Sequence, residues 1–153
     1  MAKMTSTGIT IAAVLGAPAT FDQAGFEALT FENIGQVSNI PAFGPTVQVV
    51  ESNPLATGIT EKFVGFVNYG SVALEADYDD ADAGQALVTS AVDTGDASFG
   101  QDFSFELTYS TGAKRYWVGK FFSATENPGS ANSMVSTSMN VEINTPVLKV
   151  AAP

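Results

Sequence analysis

The chain has 153 residues, one domain's worth, with 6 Lys plus Arg against 16 Asp plus Glu and a formal charge of −10. It contains no Cys and no His, which excludes a disulfide framework, a thiol nucleophile, a Ser-His triad and Cys- or His-ligated zinc. The acidity argues against a basic phosphate-binding surface, 45% hydrophobic content excludes a disordered acidic tail, and no run of 18 apolar residues is present to span a membrane.

In chain order, residues 1–19 read as an extended, semi-apolar arm that finds a partner surface. Lys3, the run Ile9-Thr10-Ile11-Ala12-Ala13-Val14-Leu15 and Ala17-Pro18-Ala19 imitate a secretory leader. Against that, the run is short, includes Thr10, and is separated from the charge by Thr5-Ser6-Thr7-Gly8. A short helix is expected at Asp22–Leu29, weakened by Gly25. Phe31–Asn39 reads as a strand bounded by the turn Pro41-Ala42-Phe43-Gly44-Pro45. Residues 41–60 read as one long connection holding Val47-Gln48-Val49-Val50, functional by its length and too apolar for a solvated linker.

Lys62–Tyr69 is β-branched and aromatic, and Gly70-Ser71 makes a tight turn. Val72, Leu74, Ala76 and Tyr78 then alternate with Ser71, Ala73, Glu75 and Asp77, so residues 62–78 predict a hairpin. The spacing of Ala83, Ala86, Leu87, Ser90 and Ala91 predicts a helix over 81–92, capped by Asp80, with Asp82 in its first turn and Gly95 at its end. Phe103, Phe105, Leu107 and Tyr109 alternate with Asp102, Ser104, Glu106 and Thr108. After the turn Ser110-Thr111-Gly112-Ala113, Lys114–Phe122 returns around Trp117 as a second hairpin. Met134–Ile143 alternates as well, and residues 144–153 end in the apolar Val147-Leu148-Lys149-Val150. The class is mainly β and antiparallel with one α-helix, in a single domain over 1–153.

The termini and the long loop carry apolar residues that one domain does not obviously bury. Ile9, Ile11, Val47, Val49, Val50, Leu55, Val147 and Leu148 are therefore the candidates for contact with neighbouring subunits. The competing expectation is that these segments fold back on their own domain.

Chemistry has few footholds. Glu75, Asp77, Asp79, Asp80 and Asp82 could in principle gather calcium, but the EF-hand register fails: counting from Asp77, position 5 is Ala81, position 6 is Asp82 and position 12 is Val88. A wet strand face followed by a helix cap explains the cluster better. Glu75 and Glu106 could oppose each other as a hydrolytic pair, although polar strand faces produce such pairs routinely. Gly-x-Ser-x-Gly is absent, and Gly65-Phe66-Val67-Asn68-Tyr69-Gly70 lacks both Gly-x-Gly-x-x-Gly and a Walker lysine. Tyr116, Trp117, Phe121 and Phe122 beside Lys114 and Arg115 suggest a stacking platform, or equally a strand buried on both faces. No catalytic residue, cofactor or metal is expected, and an assembly protein is favoured over an enzyme.

Several segments, taken in order, resemble the major tail tube protein of long-tailed, non-contractile bacteriophages. They are Ile34–Gly44, Leu55–Phe66, Tyr69-Gly70-Ser71 with Tyr78–Leu87 (including Asp82-Ala83-Gly84-Gln85), Tyr109–Gly119 and Asn127–Asn132. The resemblance covers about residues 20–145 and lies in order and spacing. It implies an antiparallel β-sandwich tail-tube fold with one packed helix, six copies to a ring, and inner strands joined into a closed intersubunit barrel. It implies rings stacked through the 41–60 loop and the terminal arms (1–19 and 144–153), a bore that houses a tape-measure protein and later passes DNA without specific binding, and tail terminator and distal tail proteins at the ends. Localisation would be the virion tail, assembled in host cytoplasm, with no membrane partner. Glu75, Asp77, Glu106 and Glu142, on the polar sides of alternating strands, are the bore-facing candidates. The alternatives are a tube protein of a contractile or secretion system, or a stand-alone β-sandwich adhesin or carbohydrate-binding module.

Overall fold

The computed structural model describes residues 3–153. The chain runs β1 (Thr10–Leu15), α1 (Gln23–Glu27), β2 (Glu32–Asn33), β3 (Val37–Asn39), β4 (Thr46–Ser52), β5 (Glu61–Asn68), β6 (Ser71–Asp77), α2 (Ala83–Ala91), β7 (Phe103–Thr108), β8 (Lys114–Asn127), β9 (Ser136–Ile143) and β10 (Leu148–Val150). One curled antiparallel sheet has the order β2-β1-β7-β8-β9-β6-β3, with β10 added beside β8; β4 and β5 form a separate two-stranded sheet. The mainly-β class holds.

The strict alternation of β6, β7 and β9 decides the core. Val72, Leu74, Phe103, Phe105, Leu107, Met139 and Val141 all point to one face and are buried. Trp117 of β8 stacks on Phe105 at 5.5 Å between ring centroids, and Phe121 meets Phe103 and Phe105 edge-on at 5.1 and 5.2 Å. Val88 and Ala91 of α2 pack on this face. On the opposite face Phe26 of α1 stacks on Tyr116 at 5.0 Å, with Val118, Leu29, Phe31, Leu148 and Val150 around them. β8 is thus buried on both faces over Tyr116–Val118, which disposes of the stacking platform: only Phe122, at a bulge, stays exposed.

Asp82-Ala83-Gly84-Gln85 acquires a physical meaning. Asp82, not Asp80, is the N-cap of α2, and the helix begins at Ala83 rather than Ala81. Asp82 Oδ2 accepts from Gln85 N (2.9 Å) and from Gly35 N (3.0 Å), so one carboxylate caps the helix and holds the β2–β3 turn. The buried Gln85 side chain donates to the carbonyls of Asp77 (2.9 Å) and Gly35 (3.1 Å) and accepts from Asp79 N (3.0 Å). Gly84 lets the helix lie directly on the backbone of Asn33 and Ile34. The acidic cluster is this cap and its approach; among the described residues no three acidic side chains are grouped to hold a metal ion. The expected helix after Asp22 forms over Gln23–Glu27, with Asp22 Oδ1 accepting from Gly25 N at 2.7 Å.

Three expectations are corrected. Residues 62–78 do not form a hairpin: β5 pairs with β4, while both edges of β6 are taken by β3 and β9. The 41–60 connection is not a simple loop, because Thr46–Ser52 is a strand and the projecting unit extends to Asn68. Within the two terminal arms, Thr10–Leu15 and Leu148–Val150 are anchored rather than free: β1 pairs with β7 over six residues, and β10 pairs with β8, while residues 1–2 lie outside the described residues. The apolar run that imitates a leader is β1, a core strand.

Candidate assembly site

The β4–β5 hairpin is the one apolar element that the rest of the described chain does not cover. Residue pairs share a face, so the register puts Val47, Val49, Val64 and Val67 on one side and Val50 and Phe63 on the other. Both sides are therefore apolar, and both are open: Val64 is 81% and Phe66 87% exposed. The Leu55 side chain at the tip is fully exposed. A two-stranded hairpin is marginal by itself, and an exposed apolar strand pair is a template for further contact. Apolar surface of this extent on an otherwise packed domain makes the hairpin a candidate interaction surface. The tip is nevertheless ordered by its own bonds: Gly58 N donates to the Pro54 carbonyl (3.2 Å) and Thr60 Oγ1 to Asn53 Oδ1 (2.9 Å). Of the candidates named from sequence, Val47, Val49, Val50 and Leu55 all lie here. Phe63, Val64, Phe66 and Val67 were missed, because their pattern also suits a core strand.

A second feature is a polar sheet face. On β6 and β9 the side opposite the core carries Ala73, Glu75, Asp77, Ser136, Ser138, Asn140 and Glu142. Asn140 Nδ2 donates to Glu142 Oε1 at 3.2 Å. Glu75 and Glu142 share this face, with Asp77 at its end. Glu106 does not join them. It lies on β7, beyond β9 and β8, beside the aromatic cluster under α1. There it accepts from Tyr116 Oη (3.0 Å) and pairs with Lys114 Nζ (3.4 Å). Two intervening strands also separate Glu75 from Glu106 by about 14 Å, at roughly 4.8 Å per strand, so they do not flank a scissile bond.

Burial, then the hydrogen bond to Glu106 and its charge, pushes the Tyr116 phenol well above its ordinary value. A raised folded value gives stability that is complete below the unfolded value near 10 and is lost as pH rises above it. Tyr116→Phe is expected to cost about 1.5–3 kcal/mol at neutral pH, the range for a hydrogen bond to a charged group, and to flatten the fall in melting temperature above pH 10. Thermal melts between pH 7 and 11 check both effects.

The remaining candidates divide. Ile11 is 1% exposed inside the chain's own core, so it is not a subunit contact; as a neighbour of Leu107 across β1 and β7 it completes the sheet face. Leu148 is held against Tyr116 and Phe26. Ile9 and Val147 are half-buried and come together in one groove with Phe43 and Arg115.

No family model matches the sequence, and no curated protein matches it. Solved structures do match. A chain in the cryo-EM structure of the anti-feeding prophage baseplate, symmetrised six-fold, superposes with a TM-score of 0.70 at 9% identity, over 99% of this chain and 98% of that one. A chain in the tail of an empty GTA particle, refined helically with C6 symmetry, gives 0.67 at 16% identity over 97% and 100%. A chain in the extended sheath-tube complex of an extracellular contractile injection system gives 0.66 at 11% identity over 97% and 92%. The chain has the fold of these tail and tube components. The likeness extends to contractile systems and is not specific to non-contractile tails.

Proposed function

We propose that the chain is a structural tail-tube subunit: six copies form a ring, rings stack into a tube, and the tube encloses a tape-measure protein before it conducts DNA. The observation that carries this reading is the β4–β5 hairpin, apolar on both faces and uncovered on a domain whose core is otherwise closed. Repetition of one subunit supplies both the hairpin and the surface that covers it. The fold shared with tail and tube components over the full length of both chains supports it.

The polar face of β6 and β9 is the bore lining in this reading, with Glu75, Asp77 and Glu142 as its carboxylates; Glu106, tied to Tyr116 and Lys114, belongs to the subunit interior. Six chains at −10 carry a formal −60 per ring, an upper limit for the wall. A wall of that sign repels phosphates and lets DNA slide. Glu75→Lys with Glu142→Lys is expected to leave the tubes intact and to slow DNA release from particles. Unchanged release kinetics from such particles overturn the sliding role.

The ordered motifs from Ile34 to Asn132 support a non-contractile tail. The sheath-tube neighbour favours, as second reading, an inner tube beneath a contractile sheath. Micrographs of the native particle decide between a bare tube and a sheathed one. The reaction-free character of both readings rests on the same neighbours, all components of structural assemblies.

A further inference from the structure

Between the Ile40–Pro45 turn and the adjoining ends of β7, β8 and β10 lies a groove of about 440 Å³. Ile9, Phe43 and Val147 form apolar wall, and Tyr109, Arg115 and Lys149 supply the polar part. Arg115 and Lys149 are directly opposed across β8 and β10. Like charges in that position repel each other. Neither has a carboxylate partner among the described residues, where the ion pairs are Lys114–Glu106 and Lys120–Asp102. The Arg115 guanidinium instead lies 5.1 Å over the Tyr109 ring and donates to the Lys114 carbonyl. Only 6 basic residues exist in a chain of net charge −10, yet two of them face each other here unneutralised. An incoming carboxylate relieves that repulsion.

We infer that this groove is the receptor for the β4–β5 hairpin tip of a second copy of the chain, an assignment that rests on the tube-subunit reading. Leu55 and Ile59 of the tip enter against Ile9, Phe43 and Val147, and the Glu61 carboxylate sits between Arg115 and Lys149. The tip suits the groove in four ways. Leu55 and Ile59 are 101% and 67% exposed. Glu61, at the first position of β5, has no ion pair among the described residues. The seven residues of β4 carry the tip about 23 Å from the hairpin base, at roughly 3.3 Å each. The tip's internal hydrogen bonds present it preformed, which lowers the ordering cost of docking.

The chain has no cysteine, so the test is clean. Chains carrying Ala56→Cys at the tip are mixed with chains carrying Ser6→Cys at the groove rim, or Ala73→Cys on the polar sheet face, and treated with a short bis-maleimide. The expected result is about tenfold more 56-to-6 than 56-to-73 cross-link, reflecting the local concentration of a docked tip. Lys149→Glu in the groove chain lowers the yield, and Glu61→Lys in the tip chain restores it. Equal yields at the two positions in chains that still assemble overturn the groove assignment and leave the tube reading standing. Absence of both assembly and cross-link overturns both. Failure of Glu61→Lys to restore the yield overturns the carboxylate's role.

Discussion

Val64→Asp combined with Phe66→Asp is expected to abolish self-assembly and to leave the monomer's fold intact. Both side chains stand almost fully in solvent on the hairpin, away from either core cluster. Each replacement falls within the small range of surface substitutions, about 0.5 kcal/mol, so the pair costs about 1 kcal/mol and shifts the melting temperature by no more than about 4 °C. In the proposed tube the same side chains are covered. Burial of a Val or Phe side chain is worth about 1.5–3 kcal/mol. Losing two of them weakens each contact by about 3–6 kcal/mol, a factor of roughly 10² to 10⁴ in the association constant. A buried, unpaired carboxylate adds to that loss. Sedimentation velocity across a concentration series, beside a thermal melt, measures both quantities. Normal assembly by the double variant removes the hairpin from the interface.

Gly84→Ala is expected to cost much stability through a single methyl group. A Cβ there meets Asn33 O at 2.2 Å and Ile34 Cα at 2.6 Å. These are backbone atoms, and they are fixed: Ile34 is 3% exposed, and its N–H donates to the Ile11 carbonyl at 2.9 Å. The helix has to lift, and with it Val88 and Ala91 leave the core. Overpacking of this kind costs about 3 kcal/mol, which for this chain length lowers the melting temperature by about 6–12 °C. Gly95→Ala is the control, because its Cβ meets only Asp93 Oδ1 at 3.6 Å. A Gly84→Ala melt that matches the Gly95→Ala melt contradicts the close approach of α2.

Strict period-two alternation made β6, β7 and β9 legible, and with them the buried set from Val72 to Ile143. A strand with one wet face announces which residues go inside. β5 carries Phe63, Val64, Phe66 and Val67 without such a pattern, so its sequence is compatible with a central strand. Its partner is chosen by which sheet edges are free, a property of the whole fold: β6 is already flanked on both sides. β1 hid for a related reason. Its small residues Ala12 and Ala13 have little β character, and only pairing with the fully formed β7 fixes them.

The candidate site was half legible. An apolar stretch in a long connection pointed to Val47, Val49, Val50 and Leu55, and all four lie on the uncovered hairpin. The carboxylates were harder, because alternation gives the side of a strand but not what lies over it. Glu75 and Glu142 keep an open face, whereas α1 packs beside Glu106 and Tyr116 binds it. The opposition of Arg115 and Lys149 depends on a β8–β10 register that no local pattern specifies.

The central claim, that this chain is a self-assembling tube subunit, is tested most directly by negative-stain electron microscopy of the purified protein over a wide concentration range. Six-fold rings or tubes with a stain-filled centre, growing in number with concentration, are the expected result. Isolated monomers at every concentration contradict it.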